Sequence, residues 1–250
     1  MTIQITNFTY GEAISEICKL VGHSSIAPAD PVGSTDPAVQ QMGAAINFAL
    51  EELLTLHEWQ DLTVKTSLSV VGLSAGLAEQ GYDLPDDFFR FIDQSQWSSS
   101  SMMPAGGPVS NQAWMSSVVQ SFSSQFTLNW QMREDQIWFL NPPYPTPVTF
   151  QYMYLSRAQV IDGADPTIVK NRADQNADTF KLDSFIIMLL GRARYLEWKG
   201  FDSSAAVRDF IAIFNSRVGA DKGGQVLSLS SRGGAPLISP SSLPNTGYGA

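Results

Sequence analysis

Three pairs of neighbouring carboxylates, Glu51/Glu52, Asp86/Asp87 and Glu134/Asp135, are the side chains in this sequence best suited to acid–base chemistry. Glycan hydrolysis needs only two carboxyl groups flanking a glycosidic bond, one to protonate the leaving oxygen and one to activate water or attack. Sequence neighbours cannot do this from a helix, where consecutive side chains point about 100° apart. Glu51 and Glu52 therefore read as solvated helix charges. Asp86 and Asp87 read as caps of a short helical turn that buries Phe88, Phe89 and Phe91, and Glu134/Asp135 as a hairpin turn. A hydrolase would need carboxylates converging from distant segments. Five tryptophans, Trp97, Trp114, Trp130, Trp138 and Trp198, could stack on sugar rings, although tryptophan more often serves cores and interfaces.

The remaining reactive types are sparse. His23 falls in a loop and His57 at a helix end, and neither has an H-E-x-x-H partner or a cysteine pair, so no zinc site is expected. His57 is placed to cap a helix C-terminus, where positive charge is favourable. The single Cys18 excludes an internal disulfide and fits assembly inside a cell. There is no G-x-S-x-G elbow, no phosphate-binding G-x-x-x-x-G-K-[ST] loop and no G-x-G-x-x-G after a strand. Gly72, Gly76 and Gly81 fit a turn between strands. The expectation is a protein without catalytic residues, metal ligands or cofactor.

Composition narrows the class further. A net charge of −9 argues against a protein that wraps nucleic acid by neutralising phosphates. The nearest thing to a basic stripe is Arg192/Arg194/Lys199. A chain that is 44% hydrophobic and 11% aromatic is expected to fold over most of its length. Charged residues make up only 16%, below the usual level of about 25%, as suits a surface covered by neighbours or one rich in neutral polar residues. Met1 to Thr9 lacks the basic start and apolar run of a signal peptide. The longest apolar run, Phe185 to Leu190, is far short of the ~18 residues of a membrane span.

The elements that must position these residues follow from periodicity. Thr9 with Glu12 forms a capping box for a helix carrying Tyr10, Ile14, Ile17 and Val21 on one face, and Gly22 ends it. Asp36-Pro37 opens a longer helix bearing Val39, Met42, Ile46, Leu50, Leu53 and Leu56, which ends near Trp59. The period then switches to two at Leu62, Val64, Leu68 and Val70, a strand with one wet face. Ser98 to Ser110 reads as a surface excursion, and Asn111 as the cap of a helix with Trp114, Val118 and Phe122 inward. Phe126, Leu128, Trp130 and Met132 form a strand that returns through Ile137 to Leu140. The Asn141–Pro145 corner forbids helix and central strand, and Val148, Phe150, Tyr152 and Tyr154 form a final strand. Helix resumes from Asp178 to Lys199, and again from Ser203 or Ser204 to Gly219.

One block stands out: Gly81-Tyr82-Asp83-Leu84-Pro85-Asp86-Asp87-Phe88-Phe89-Arg90, preceded by Glu58-Trp59-Gln60-Asp61-Leu62. Locally it is a β-hairpin docked on a helix, with Pro85 closing the strand. The order of helix, Trp59, strand, turn and Tyr82-Asp-Leu84-Pro85 then Phe88 also resembles the head-to-tail adaptor proteins of tailed phages, the short-tailed kind in particular, most closely over Asp36–Asp93. The resemblance implies a structural virion protein and no enzyme: one subunit of a ring, a dodecamer, assembled in the host cytoplasm and bound under the portal protein. Further tail proteins, nozzle or fibres, would attach below. Double-stranded DNA would pass through the channel without sequence-specific binding, and no membrane would be involved. An acidic lumen that lets DNA slide suits this.

The last stretch changes character. From Gly223 to Ala250 about half the residues are Ser, Gly or Pro, and such a tail cannot bury enough to fold alone. It carries spaced apolar residues, Val226, Leu227, Leu229, Leu237, Ile238, Leu243 and Tyr248, and fully extended could span ~90 Å. It reads as a frayed terminus or as an arm that orders along a partner; in the adaptor family, the C-terminal arm reaches the portal. The expected fold is α+β: a helical bundle (1–61 and 160–222), an inserted small antiparallel β domain (62–159) and an extended C-terminal arm (223–250). The alternative function is a carbohydrate-active tail component, a cell-wall hydrolase or a glycan-binding module. A generic oligomeric scaffold is a third.

Overall fold

The computed structural model describes residues 8–22, 28–72, 79–99, 102–120, 128–142 and 146–221. The chain is mixed α+β, with its antiparallel strands lying between helices in sequence. Helix α1 (Tyr10–Val21) begins as its capping box dictates: the Thr9 hydroxyl accepts from the Glu12 N–H while the Glu12 carboxylate accepts from the Thr9 N–H. It ends at Gly22, whose φ of 70° is cheap only for glycine. Helix α2 (Pro37–Leu56) starts from the Asp36 carboxylate, which accepts the Ala38 N–H, and runs to a 3-10 turn, Gln60–Leu62.

The strands follow. β1 (Thr63–Val70), β2 (Glu79–Asp83), β3 (Phe88–Phe91), β4 (Trp97–Ser98) and β5 (Met103–Pro104) precede helix α3 (Asn111–Gln120). β6 (Asn129–Arg133) and β7 (Gln136–Leu140) form the expected hairpin with Arg133 opposite Gln136. Its two turn residues, Glu134 and Asp135, have φ of 54° and 59°, the left-handed backbone a two-residue hairpin demands. β8 (Val148–Ser156) is the central strand of a five-stranded sheet: β1 pairs along one side, and β3 and β4 share the other. β2, β7 and β6 make a separate sheet.

Several expectations are corrected. Asp86 and Asp87 do not cap a helical turn; they are themselves a turn, and Phe88–Phe91 is a strand on β8. The strands before and after Gly72 are not a hairpin, since β1 pairs with β8 and β2 with β7. Ser98–Ser110 contains the β4–β5 ladder, and its end runs beside β6, where Val109 N–H donates to the Trp130 carbonyl. Ser110, not Asn111, caps α3, its carbonyl and hydroxyl accepting from Trp114 and Ala113. Residues 160–180, expected to belong to the helical bundle, hold a small sheet of β9 (Val160–Ile161), β10 (Val169–Lys170) and β11 (Thr179–Phe180), so the Val148–Tyr154 strand is not the last. Helix α4 begins only at Ser184 and runs to Trp198, capped by Asp183; α5 runs from Ser204 to Asp221, two residues beyond Gly219. Phe122, Phe126 and residues 143–145 lie outside the described residues.

Two apolar clusters hold the molecule together. The first joins α1, α2, α4 and α5 through Ile14, Ile17, Met42, Ile46, Leu50, Leu53, Ile187 and Phe210. Gly191 lets α4 approach α2, since a Cβ there would sit 3.1 Å from Ile46. The second cluster lies between the two larger sheets and is largely aromatic, with Trp130, Phe139, Phe150, Tyr152 and Tyr154. β8 serves both: Phe150, Tyr152 and Tyr154 face the second cluster, and Leu155 belongs to the first. Among the described residues no helix is long and apolar enough to cross a membrane.

Candidate functional site

Two of the residues singled out by the sequence, His57 and Trp59, lie where α2 hands over to β1. Trp59 is buried and donates its indole N–H to the Leu53 carbonyl at 3.0 Å, folding the chain back against the last turns of α2. Its carbonyl accepts the Thr63 hydroxyl at 3.0 Å, which fixes the start of β1. Edge-on contacts with His57 (4.8 Å) and with Phe214 of α5 (6.0 Å) complete the packing.

His57 does stand at the α2 C-cap, as expected, but its partner is the end of α5 rather than the carbonyls of α2. Its Nε2 lies 2.8 Å from the Asp221 Oδ2, and both groups are largely shielded from water. The Asp221 carboxylate also accepts the Gln60 N–H, and the Asp221 carbonyl accepts the Gln60 side-chain amide at 2.6 Å. Farther along, Arg217 pairs with Asp183 at 2.7 Å. The last described turn of α5, and with it the origin of the C-terminal segment, is thereby tied to the Trp59 turn.

The Tyr82-Asp-Leu84-Pro85 block starts at the far end of β1. Tyr82 places its hydroxyl between the N–H and C=O of Val71, donating to the carbonyl and accepting the N–H at 2.6 Å, and so joins β2 to the end of β1 without a strand ladder. Gly81 is needed because Trp138 lies over it: a Cβ would come within 2.8 Å of the indole. Arg133 stacks on that indole at 4.3 Å and on Trp114 at 5.7 Å, while Glu79 accepts from both Arg133 and the Trp114 N–H. Leu84 and Phe88 pack on the second cluster, and Phe88 meets Phe91 at 4.8 Å and Tyr154 at 5.6 Å. After Pro85, whose carbonyl accepts the Phe88 N–H, Asp87 accepts from the Tyr154 hydroxyl at 2.8 Å and the Ser156 hydroxyl at 2.6 Å. Burial and this carboxylate push the Tyr154 phenol well above its ordinary range. Arg90 reaches back to Glu58 at 3.5 Å, linking the block to the Trp59 turn.

Four of the six paired carboxylates have a visible structural place. Glu52 is engaged by Arg194, Asp87 anchors β8, and Glu134 and Asp135 form the exposed hairpin turn. The five tryptophans do not share a face: Trp114 and Trp130 are buried, Trp138 lies under Arg133, and Trp97 and Trp198 are exposed on β4 and at the end of α4. Among the described residues no group of three or more His, Cys, Asp or Glu side chains could hold a metal. Cys18 is buried against Met42, and burial raises its thiol above the usual range, which makes it a poor nucleophile. His23, Gly76 and the arm residues Val226, Leu227, Leu229, Leu237, Ile238, Leu243 and Tyr248 lie outside the described residues.

Two features escaped the sequence reading. The first is a surface groove of about 540 Å³ between α2 and α4, lined by Phe48, Glu51, Glu52, Thr55, Arg194, Glu197 and Trp198. Phe48 and Trp198, each 50% exposed, meet edge-on at 5.7 Å. The signal was Phe48, a large aromatic off the apolar stripe of α2. The second is an ionic knot in residues 162–178. Lys170 pairs with Asp162, Asp174 and the fully buried Asp178, whose carboxylate also accepts three backbone N–H groups from Gly163, Asp174 and Gln175. Burial alone would raise the Asp178 carboxyl, but these donors hold it below the usual range. The Asp178 carbonyl accepts the Tyr10 N–H at 2.8 Å, so the knot positions α1, and burial beside this carboxylate pushes the Tyr10 phenol up to about 12. No protein-family model matches the chain, and no curated protein matches it.

Proposed function

We propose that this chain is a structural subunit of a tailed-phage head-to-tail adaptor, assembling as a ring, a dodecamer, under the portal protein. The carrying observation is the junction itself: the Trp59 turn, the start of β1 and the end of α5 are bonded together, and the C-terminal segment leaves from that point. A segment that springs from a rigid root can reach a partner ring while its subunit stays in place. In this reading the four helices that share the first apolar cluster are a bundle forming the ring wall, and the strands between Thr63 and Ser156 are an inserted β domain presented to further tail proteins. Double-stranded DNA passes through the channel without sequence-specific contacts. In this reading the chain is not an enzyme: Glu52 is held in an ion pair, Asp87 anchors a strand, and Glu134 and Asp135 form a turn.

The arm supplies attachment by folding on binding. Its apolar side chains gain about 25 cal/mol per Å² buried and lose chain entropy as they order, and repetition around a ring multiplies the effect by avidity. The test compares the full chain with a chain ending at Lys222 for capture on the portal ring from the same source. The full chain binds and the shortened one binds more weakly while remaining folded. Equal capture of the two contradicts the arm's part, and no capture of either contradicts the adaptor reading.

A further inference from the structure

Among the described residues β1 is a border strand with an open side. It pairs with β8 over all eight residues, Thr63–Val70, in unbroken register, and among the described residues no strand lies along its other edge. In an antiparallel strand, alternate residues turn their N–H and C=O groups towards the partner and the rest turn them away. Half of the β1 backbone groups therefore point outward. Border strands are normally blunted by proline, bulges or clustered charge. β1 has neither proline nor bulge, and Lys65 is its one charged residue. On its inner face Val64 and Leu68 are only half buried, as expected of a sheet that stops one strand short.

The chain carries a segment of matching chemistry that begins near the start of β1. α5 ends at Asp221, held by Gln60 three residues before Thr63. Beyond it, outside the described residues, the sequence continues Lys222-Gly223-Gly224 and then Gln225-Val226-Leu227-Ser228-Leu229-Ser230-Ser231. Three residues span up to about 10 Å, room for two strand spacings of about 4.8 Å. Two glycines permit whatever turn the junction needs. Leu227 and Leu229 alternate with Ser228 and Ser230, the period of a strand with one wet face.

We infer that Gln225–Ser231 adds to the open edge of β1 in its own chain. The added strand runs parallel to β1, because both leave the Gln60–Asp221 junction. Leu227 and Leu229 cover Val64 and Leu68, and the outward N–H and C=O groups of β1 gain partners. The C-terminal segment is then divided: its first part completes a sheet, and the residues beyond Arg232 remain for other contacts. This docking requires no portal and stands or falls independently of the adaptor reading.

Amide hydrogen exchange on the full chain, at a concentration where mass measurement shows single chains, tests it directly. Leu227→Pro removes the ladder within the added strand, and Leu237→Pro is the distal control; amides of α2 report that the fold is intact. In the wild type and in Leu237→Pro, the alternate β1 amides that face away from β8 exchange slowly. In Leu227→Pro they exchange about tenfold faster or more, while α2 is unchanged. Equal exchange of those amides in all three proteins overturns the proposal. So does protection that appears only at concentrations where chains associate, which would assign the strand to a second copy.

Discussion

At the residue scale, carboxylates in this protein act as anchors. Asp87 holds β8 through Tyr154 and Ser156, and Asp178 gathers three backbone N–H groups and Lys170 at a fully buried position. Neither role was legible from spacing, because each depends on groups brought from another strand or folded back from a loop. The caps at Thr9 and Asp36, by contrast, use partners two or three residues away and were read correctly. Asp178 supplies a test with a definite sign. Its folded pKa is depressed, so its contribution is complete above the ordinary carboxylate range and is lost as pH falls through the folded value. Urea unfolding midpoints of the wild type should therefore drop as pH is lowered below about 4. Asp178→Asn should be less stable at neutral pH by about 1–3 kcal/mol and show a flatter acid profile. Parallel profiles would show that Asp178 carries none of the acid sensitivity.

At the element scale, long helices and the β6–β7 hairpin were legible because their signals are local: a 3.6-residue stripe in α2, two turn residues between alternating strands in the hairpin. The failures were in pairing. Nothing near β1 announces that its partner is β8, some eighty residues on, or that β2 belongs to another sheet. Phe88–Phe91 was misread because four residues are too few for periodicity to separate helix from strand. The run of aromatics favours a strand once β8 offers an edge. The Tyr82-Asp-Leu84-Pro85 block owes its glycine to packing, since Trp138, wedged under Arg133, occupies the space of a Gly81 side chain. Replacing a strand glycine with alanine ordinarily stabilises by about 0.4–1 kcal/mol through the unfolded state. Here Gly81→Ala should instead destabilise by about 1–3 kcal/mol, read from urea denaturation. A neutral or stabilising result would contradict the contact between Gly81 and Trp138.

At the scale of the whole molecule, two apolar clusters meet along β8, and the end of the last helix returns to the turn that separates them in sequence. This closure could not be read from composition, but it gives the C-terminal segment a fixed origin, which an attachment arm requires. The net charge of −9 and the absence of a basic stripe are compatible with a channel wall along which DNA moves without being held. The central claim is that copies of this chain cover one face of a portal ring. The direct measurement is the mass of the complex formed when excess full-length chain is mixed with purified portal rings from the same source. An adaptor gives a single saturated species with one copy per portal subunit. A folded chain that leaves the mass of a competent portal ring unchanged contradicts the assignment.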